Sequence, residues 1–385
     1  MNIEVIELHN KNTGVLKVQG LIDIDNEDDL AKAYTPGVAE LSLMINKNND
    51  LARELTVSGK LICVITDGTA VLGLGNVGSQ AGLPIVEGKS LLYKSLADVN
   101  AIPMAINQIS VNQIVETIKN IENSFAGIHL EDIAAPQCFE ILEKLENELS
   151  IPVYHDDQTG TAIVVLAALM NASKLANKNI NDLNIIITGA GASGLATAEL
   201  LFESGIKNIT LVDIEGTLIR DDAKNNYYQN KILNKIGIET TKRELKDEII
   251  GKDVFIGLST GNIVTKEMIE SMNKQPIIFA LANPIPEILP EEAKKGNAKI
   301  VATGSSNYPN QVNNILVFPG LFKGLLLTKG KDIGFSLQKK VAESLAELVG
   351  KPSYKKFIPN VFDEGVSEVV SKTVVRHFRK SKLNE

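Results

Sequence analysis

Tryptophan is absent, cysteine occurs twice, and only 5% of the 385 residues are aromatic. Two cysteines, Cys63 and Cys138, cannot build a disulfide scaffold. Each stands in apolar company, which favours two buried thiols in a reducing compartment over one bridge between them. No apolar run approaches the roughly 18 residues of a membrane span, and Met1-Asn2-Ile3-Glu4 begins nothing like a signal peptide. Ser381-Lys382-Leu383 is followed by Asn384-Glu385, so it is not a terminal peroxisomal address. Positive charge is not in excess either: 39 Lys plus Arg stand against 47 Asp plus Glu, a net charge of −8. That argues against a nucleic-acid or membrane-surface partner. Internal repeats and low-complexity linkers are missing as well. The expectation is a soluble, cytoplasmic chain, too long for one simple core and so divided into two domains.

The pattern along the chain is α/β. Leu61–Thr66 and Phe125–Leu130 read as buried strands. Between them Ser110 and Gln113 form a capping-box signal for a helix carrying Ile114, Val115, Ile118 and Ile121. Gln137–Leu149 repeats the helical period, Ile151–Tyr154 is extended, and Thr161–Ala176 is a helix apolar on all sides. Beyond it, apolar strands at 185–187, 209–212, 254–256, 277–280 and 300–301 alternate with helical stretches. This implies a doubly wound parallel sheet covered on both faces. The tail from about Gly334 is mostly helical, interrupted near Pro352 and Pro359, and its basic end offsets a helix dipole.

The pattern G-x-G-x-x-G occurs twice. Gly73-Leu74-Gly75-Asn76-Val77-Gly78 is followed by Gly82 and Pro84, which spoil a helix start, so it reads as a tight turn lining a cleft. Gly189-Ala190-Gly191-Ala192-Ser193-Gly194 lies between a strand and a helix, where free N–H groups hold a dinucleotide pyrophosphate. Asp213 ends the next strand, placed to accept hydrogen bonds from ribose hydroxyls and repel a 2′-phosphate. This favours NAD; NADP stays open because Arg220 sits in the following loop.

Two acidic pairs, Glu131-Asp132 and Asp156-Asp157, follow strands directly, at the ends where open sheets gather ligands. Carboxylates suit Mg²⁺ or Mn²⁺, yet neighbours on a strand point to opposite faces. Glu131 and Asp132 can share an ion only if the strand has already ended. Spacing alone leaves a metal site and plain surface acids equally open. His155 beside them reads first as a packed histidine. Lys89, between a glycine bend and an apolar run, is the lysine that burial would push toward base chemistry. Tyr34, in Ala33-Tyr34-Thr35-Pro36-Gly37, is either structural or functional.

Taken together, these segments resemble the malic enzyme family in its short bacterial form. The likeness rests on Ala33–Ala39, Thr66–Gly75, Val86–Lys89, Leu130–Pro136, His155–Ala162, Ala282–Pro284, Ala302–Gly304 and Tyr308–Asn314, in that order. It implies a malic (substrate and metal) domain over 1–156, a Rossmann NAD(P)-binding domain over 157–313, and a helical segment, 314–385, returning to the first domain. It places a metal on Glu131, Asp132 and Asp157 with Asp156 in support, makes Lys89 the general base and Tyr34 the general acid, and puts Asn283 and Asn314 on substrate. Asn313 and Asn283 would also face the nicotinamide beside the loop Gly189, Gly191, Ala192, Ser193, Gly194. The implied reaction is oxidative decarboxylation of L-malate to pyruvate, in a homodimer.

The chain departs from the family pattern at Ala70, where animal members carry an arginine, and at Thr159 and Ser305, where many bacterial relatives show histidine and arginine. Lys94 is the residue expected to replace the missing charge; a Lys94→Ala variant with unchanged malate KM would sink that idea. Alternative readings are a malolactic or oxaloacetate-decarboxylating relative, and a silent nucleotide-binding protein.

Overall fold

In the computed structural model, which describes residues 3–237 and 241–383, the apolar runs pair into two sheets. The first holds β1 (Leu61–Thr66), β2 (Asn100–Ala105), β3 (Gly127–Leu130) and β4 (Val153–His155), all parallel in the order β2-β1-β3-β4. Ile62, Cys63 and Val64 are fully buried, as a strand covered on both faces requires. From β1 the chain pairs to β2 on one side and to β3 on the other. The crevice beyond the carboxyl ends of β1 and β3 is therefore a switch point, where side chains from separate loops converge.

The second sheet holds β5 (Asn184–Thr188), β6 (Asn208–Asp213), β7 (Gly216–Thr217), β8 (Val254–Gly257), β9 (Ile277–Ala280) and β10 (Ile300–Thr303). Its order is β10-β9-β8-β5-β6-β7, parallel except for the short β7. A second switch point lies between β5 and β8, and the Gly189 loop leaves β5 into it. The two sheets are joined through the helix Thr161–Leu175, in which every residue from Ala162 to Leu169 is buried; a helix apolar all round has no solvent face to offer. The helix Phe318–Thr328 packs on the helix Ser79–Ala97 of the first sheet and on the helix Val366–Leu383.

The expected capping box is formed: the Ser110 hydroxyl accepts from the Gln113 N–H and Gln113 accepts from the Ser110 N–H. One local expectation fails. The stretch after Gly78 is a helix despite Gly82 and Pro84. Pro84 lies past the first turn, where it removes a backbone bond and crowds the carbonyl of Gln80, but the face Gly82, Val86, Ser90, Tyr93, Ala97 is buried. Packing outweighs propensity there. A side chain at Gly82 would lie 3.1 Å from Thr66, so the small residue brings the helix onto β1.

Both cysteines are free and fully buried, and burial pushes each thiol up to about 12. Native protein is expected to resist thiol labelling at pH 8 and to take two equivalents once unfolded; labelling at the rate of free cysteine would refute this. No helix among the described residues is long and apolar enough to cross a membrane.

From Ile3 to Val57 no residue is buried, and this arm carries fifteen of the twenty-nine exposed large hydrophobic residues among the described residues. It is tied back where the Val15 N–H meets Glu87, at 2.6 Å.

Candidate active site

The crevice of the first sheet collects charge. β3 stops at Leu130, and Asp132 takes a left-handed backbone with φ 55°, a conformation aspartate tolerates. The strand has thus ended before the acidic pair, which removes the objection that neighbours diverge. Ligand oxygens of Glu131, Asp132 and Asp157 lie within 4.8 Å of one another. Asp157 also accepts the Asp132 N–H at 3.1 Å. It belongs to a five-residue π-helical turn, Asp156–Gly160, that leads from β4 into the helix Thr161–Leu175. Ala70 borders the group, its N–H bonded to the Asp132 carbonyl at 2.9 Å.

Lys89 reaches this crevice from the helix Ser79–Ala97. It is ion-paired with Asp156 and with Glu131, the latter at 3.2 Å, and lies 3.4 Å from the Asn314 amide oxygen. Its ammonium also sits 4.9 Å above the Phe318 ring. Burial alone would push it toward neutrality, as expected from sequence, but Asp156, Glu131 and Asp157 pull harder the other way and raise its pKa. That expectation is corrected: Lys89 is desolvated and still held charged.

The acids divide accordingly. Burial pushes Glu131 up, yet Lys89 and His129 outweigh it and hold the carboxyl at about 2. Asp132 is pushed up to about 7, first by burial and then by the charge of Glu131. Asp157 is raised by burial and by Glu131, Asp132 and Asp156. Three carboxylates crowded so that two resist ionisation are short of positive charge, and this is the donor set that a hard divalent cation satisfies. A second acidic group, His129, Glu131 and Asp156, is already satisfied: Tyr93 meets His129 at 2.9 Å, His129 meets Glu131 at 2.7 Å, and Tyr154 donates to Asp156 at 2.6 Å.

The Gly189 loop fits a dinucleotide. Gly189 has φ +96°, and a Cβ there would lie 2.3 Å from the Leu258 carbonyl oxygen. A Cβ at Gly194 would lie 1.7 Å from the Gly189 oxygen, whereas one at Gly191 would meet nothing within 4 Å. Two glycines close the turn and the middle one leaves open space for a phosphate. The helix Ala192–Glu203 begins at Gly191 with no side-chain cap, so its first N–H groups keep their donors for a ligand. Ser193 donates to the Asp157 carbonyl at 2.8 Å, tying this loop to the acidic turn. Asp213 accepts the Glu215 N–H at 2.8 Å, and Glu215 is paired with Lys224 at 2.7 Å.

Family models match both parts of the chain: "Malic enzyme, NAD binding domain" over residues 158–379 and "Malic enzyme, N-terminal domain" over 11–113 and 107–146. A bifunctional malic/malolactic enzyme of Bacillus subtilis is 44% identical over 97% of this chain and 92% of its own length. An NAD-dependent malic enzyme of Geobacillus stearothermophilus is 41% identical over 94% of this chain and 76% of its own. The crystal structure of malic enzyme from Pyrococcus horikoshii superposes with a TM-score of 0.93 at 40% identity, covering 99% of this chain and 91% of that one. The chain belongs to the malic enzyme family.

Not every residue that the family pattern marks joins the crevice within one chain. Asn314 does. Asn313 caps the turn that carries it, accepting the Ile315 N–H at 3.0 Å. Asn283 lies beside the first glycine turn: a Cβ at Gly73 would be 3.1 Å from its carbonyl oxygen, so that turn touches the loop after β9. Tyr34 is 67% exposed on the arm and makes no side-chain hydrogen bond to the Lys89 cluster. Lys94 points outward, paired with Asp98 at 2.5 Å and reaching Asn100 at 3.3 Å. The expectation that Lys94 supplies charge beside Lys89 is not met within this chain, because five helical residues turn the side chain to the exposed face. His155 is buried with neither ring nitrogen hydrogen-bonded among the described residues, and burial lowers its pKa to about 3, so it is a neutral packed ring. Sequence reasoning missed His129, Tyr93 and Tyr154. His129 stands in β3 two residues before Glu131, which lies just past the strand's end, and Tyr93 one helical turn after Lys89; both spacings were available as signals.

Proposed function

We propose that this protein converts L-malate to pyruvate and CO₂ while reducing NAD, with Mg²⁺ or Mn²⁺ held by Glu131, Asp132 and Asp157. The observation that carries the reading is the bond from Ser193 to the Asp157 carbonyl, which joins the dinucleotide loop to the acidic turn beside Lys89. When bound, the cation supplies Lewis-acid polarisation of the C2 oxygen and offsets the carboxylate field on Lys89, and the nicotinamide supplies the hydride acceptor. With the carboxylate field offset, Lys89 would release its own proton to solvent, and the neutral amine then takes the proton of the C2 hydroxyl as hydride leaves C2. Asn314 and Asn283 orient the substrate. The β-keto acid loses its C4 carboxylate because the ketone accepts the electron pair, and Tyr34 protonates C3. The domain limits implied by the family pattern, 1–156, 157–313 and 314–385, suit this division of labour.

Purified protein with L-malate, Mn²⁺ and either nucleotide should form NADH and pyruvate in equal amounts, followed at 340 nm and by pyruvate assay. Lactate without NADH would mark a malolactic enzyme, and silence with both nucleotides a binding protein. Asp213 favours NAD: Asp213→Ser should cut kcat/KM for NAD by about tenfold to a hundredfold through loss of charged hydrogen bonds. It should also raise the NADP/NAD ratio; an unchanged ratio removes Asp213 from cofactor choice.

The apolar arm supports a homodimer, with residues 3–57 covered by a second copy, and the cytoplasm is the compartment proposed for it. The seat of Tyr34 over the crevice is then set by that packing. Sedimentation should give about twice 41.7 kDa, and Leu43→Glu with Met44→Glu should shift it to the monomer. A wild-type monomer sedimenting at its chain mass and fully active would dismiss the dimer.

A further inference from the structure

The reaction as derived uses Glu131 but says nothing of the two buried rings behind it. We propose that His129, fixed by Tyr93, makes Glu131 a one-oxygen ligand and so sets the preference of the site for small divalent cations over Ca²⁺. The inference rests on the metal reading above.

His129 is fully buried at the middle of β3, and Tyr93 is fully buried on the helix that carries Lys89. The carboxylate of Glu131 only accepts, so the His129 Nε2 at 2.7 Å from Oε2 carries the hydrogen. Nδ1 is then an acceptor and takes the Tyr93 hydroxyl hydrogen at 2.9 Å. The other tautomer would set two lone pairs against each other at Glu131. The imidazole cannot swing away, since it packs edge-on against Tyr93, Tyr154 and Phe318 at centroid distances of 5.7, 5.2 and 5.4 Å.

The hydrogen bond from His129 fixes the carboxylate plane of Glu131 with Oε2 turned toward the imidazole and Oε1 turned toward Lys89, 3.2 Å away, so Oε1 is the oxygen presented to a cation. Turning the carboxylate so that both oxygens face one ion would break the bond from His129 and strand its N–H in a fully buried position. Ca²⁺ gathers about six to eight oxygens and takes carboxylates through both, whereas Mg²⁺ accepts an octahedron of single oxygens. A glutamate restricted to one oxygen therefore disfavours the larger ion.

The test is equilibrium binding of Mn²⁺ to the full chain, read by the electron paramagnetic resonance of the free ion, with Ca²⁺ as competitor. Wild type should prefer Mn²⁺. His129→Phe should shrink the Mn²⁺/Ca²⁺ affinity ratio by about tenfold or more, within the range for loss of a ligand-orienting partner. His129→Gln, which keeps an N–H donor, should restore most of the ratio. Tyr93→Phe removes one hydroxyl and should move the ratio in the same direction by less; it carries the test if His129→Phe does not fold. Equal weakening of both cations, or an unchanged ratio, overturns the proposal and leaves His129 a packing residue. Mn²⁺ binding that Glu131→Gln does not weaken would instead overturn the metal reading itself, and this proposal with it.

Discussion

Lys89→Arg should lower kcat for malate oxidation by about 10²–10⁴, the usual worth of a positioned general base, with the fold and NAD binding retained. Lys89 is held as an ammonium by Asp156, Glu131 and Asp157. Arginine reproduces that charge and those ion pairs but cannot give up its proton at any working pH. The substitution therefore separates the base from the counter-ion. Lys89→Met would confuse them, because it strands two buried carboxylates at a cost of about 3–5 kcal/mol. Steady-state kinetics with malate and Mn²⁺, beside nucleotide binding by fluorescence, would measure both quantities. A kcat within tenfold of wild type would remove Lys89 from the proton transfer.

Asp157→Asn should act in opposite directions on metal binding and on the metal-free protein. Mn²⁺ affinity should fall by at least about 100-fold, since even ligand-orienting partners are worth up to that. The metal-free Tm should rise, because the substitution replaces a buried carboxyl crowded by Glu131, Asp132 and Asp156 with a neutral amide, whose oxygen can still accept the Asp132 N–H. The strain is visible in Asp132, whose carboxyl is lifted from 3.8 to about 7 by burial and by Glu131. A lift of that size opposes ionisation by on the order of 4 kcal/mol. A carboxyl raised on folding supports the native state while protonated, and that support is lost as pH climbs from about 4 to about 7. A cation must displace the proton from Asp132 over this window, and from Asp157, which is raised as well, so Mn²⁺ affinity should climb with pH between about 5 and 8. Calorimetric titration of wild type and Asp157→Asn between pH 5 and 8, with metal-free melting curves, checks the whole set. A metal-free Tm that falls, or an affinity indifferent to pH, would contradict it.

Much of the architecture was legible because it is local. The strand at Ile185–Ile187, the capping box at Ser110 and the apolar helix after Thr161 announce themselves through period and end signals within a dozen residues. The Gly189 loop was readable for the same reason: strand, glycines and helix are adjacent in the chain. Pro84 shows the limit, since its helix survives on the burial of Val86 and Tyr93 rather than on its own propensity.

The acidic pairs stood at strand ends in the sequence, but whether Glu131 and Asp132 face one ion depended on the left-handed turn at Asp132. Residue types, the α/β alternation, the dinucleotide loop and the acids at strand ends were determined by the sequence alone, since each is a property of neighbours along the chain. The charge state of Lys89, the outward turn of Lys94, the exposure of Tyr34 and the pairing of His129 with Tyr93 were decided only by the tertiary structure. Lys89 meets Asp156 across 67 residues and Asn314 across 225. A pKa is the sum of desolvation and of every nearby charge, and no window of sequence contains all the groups in that sum.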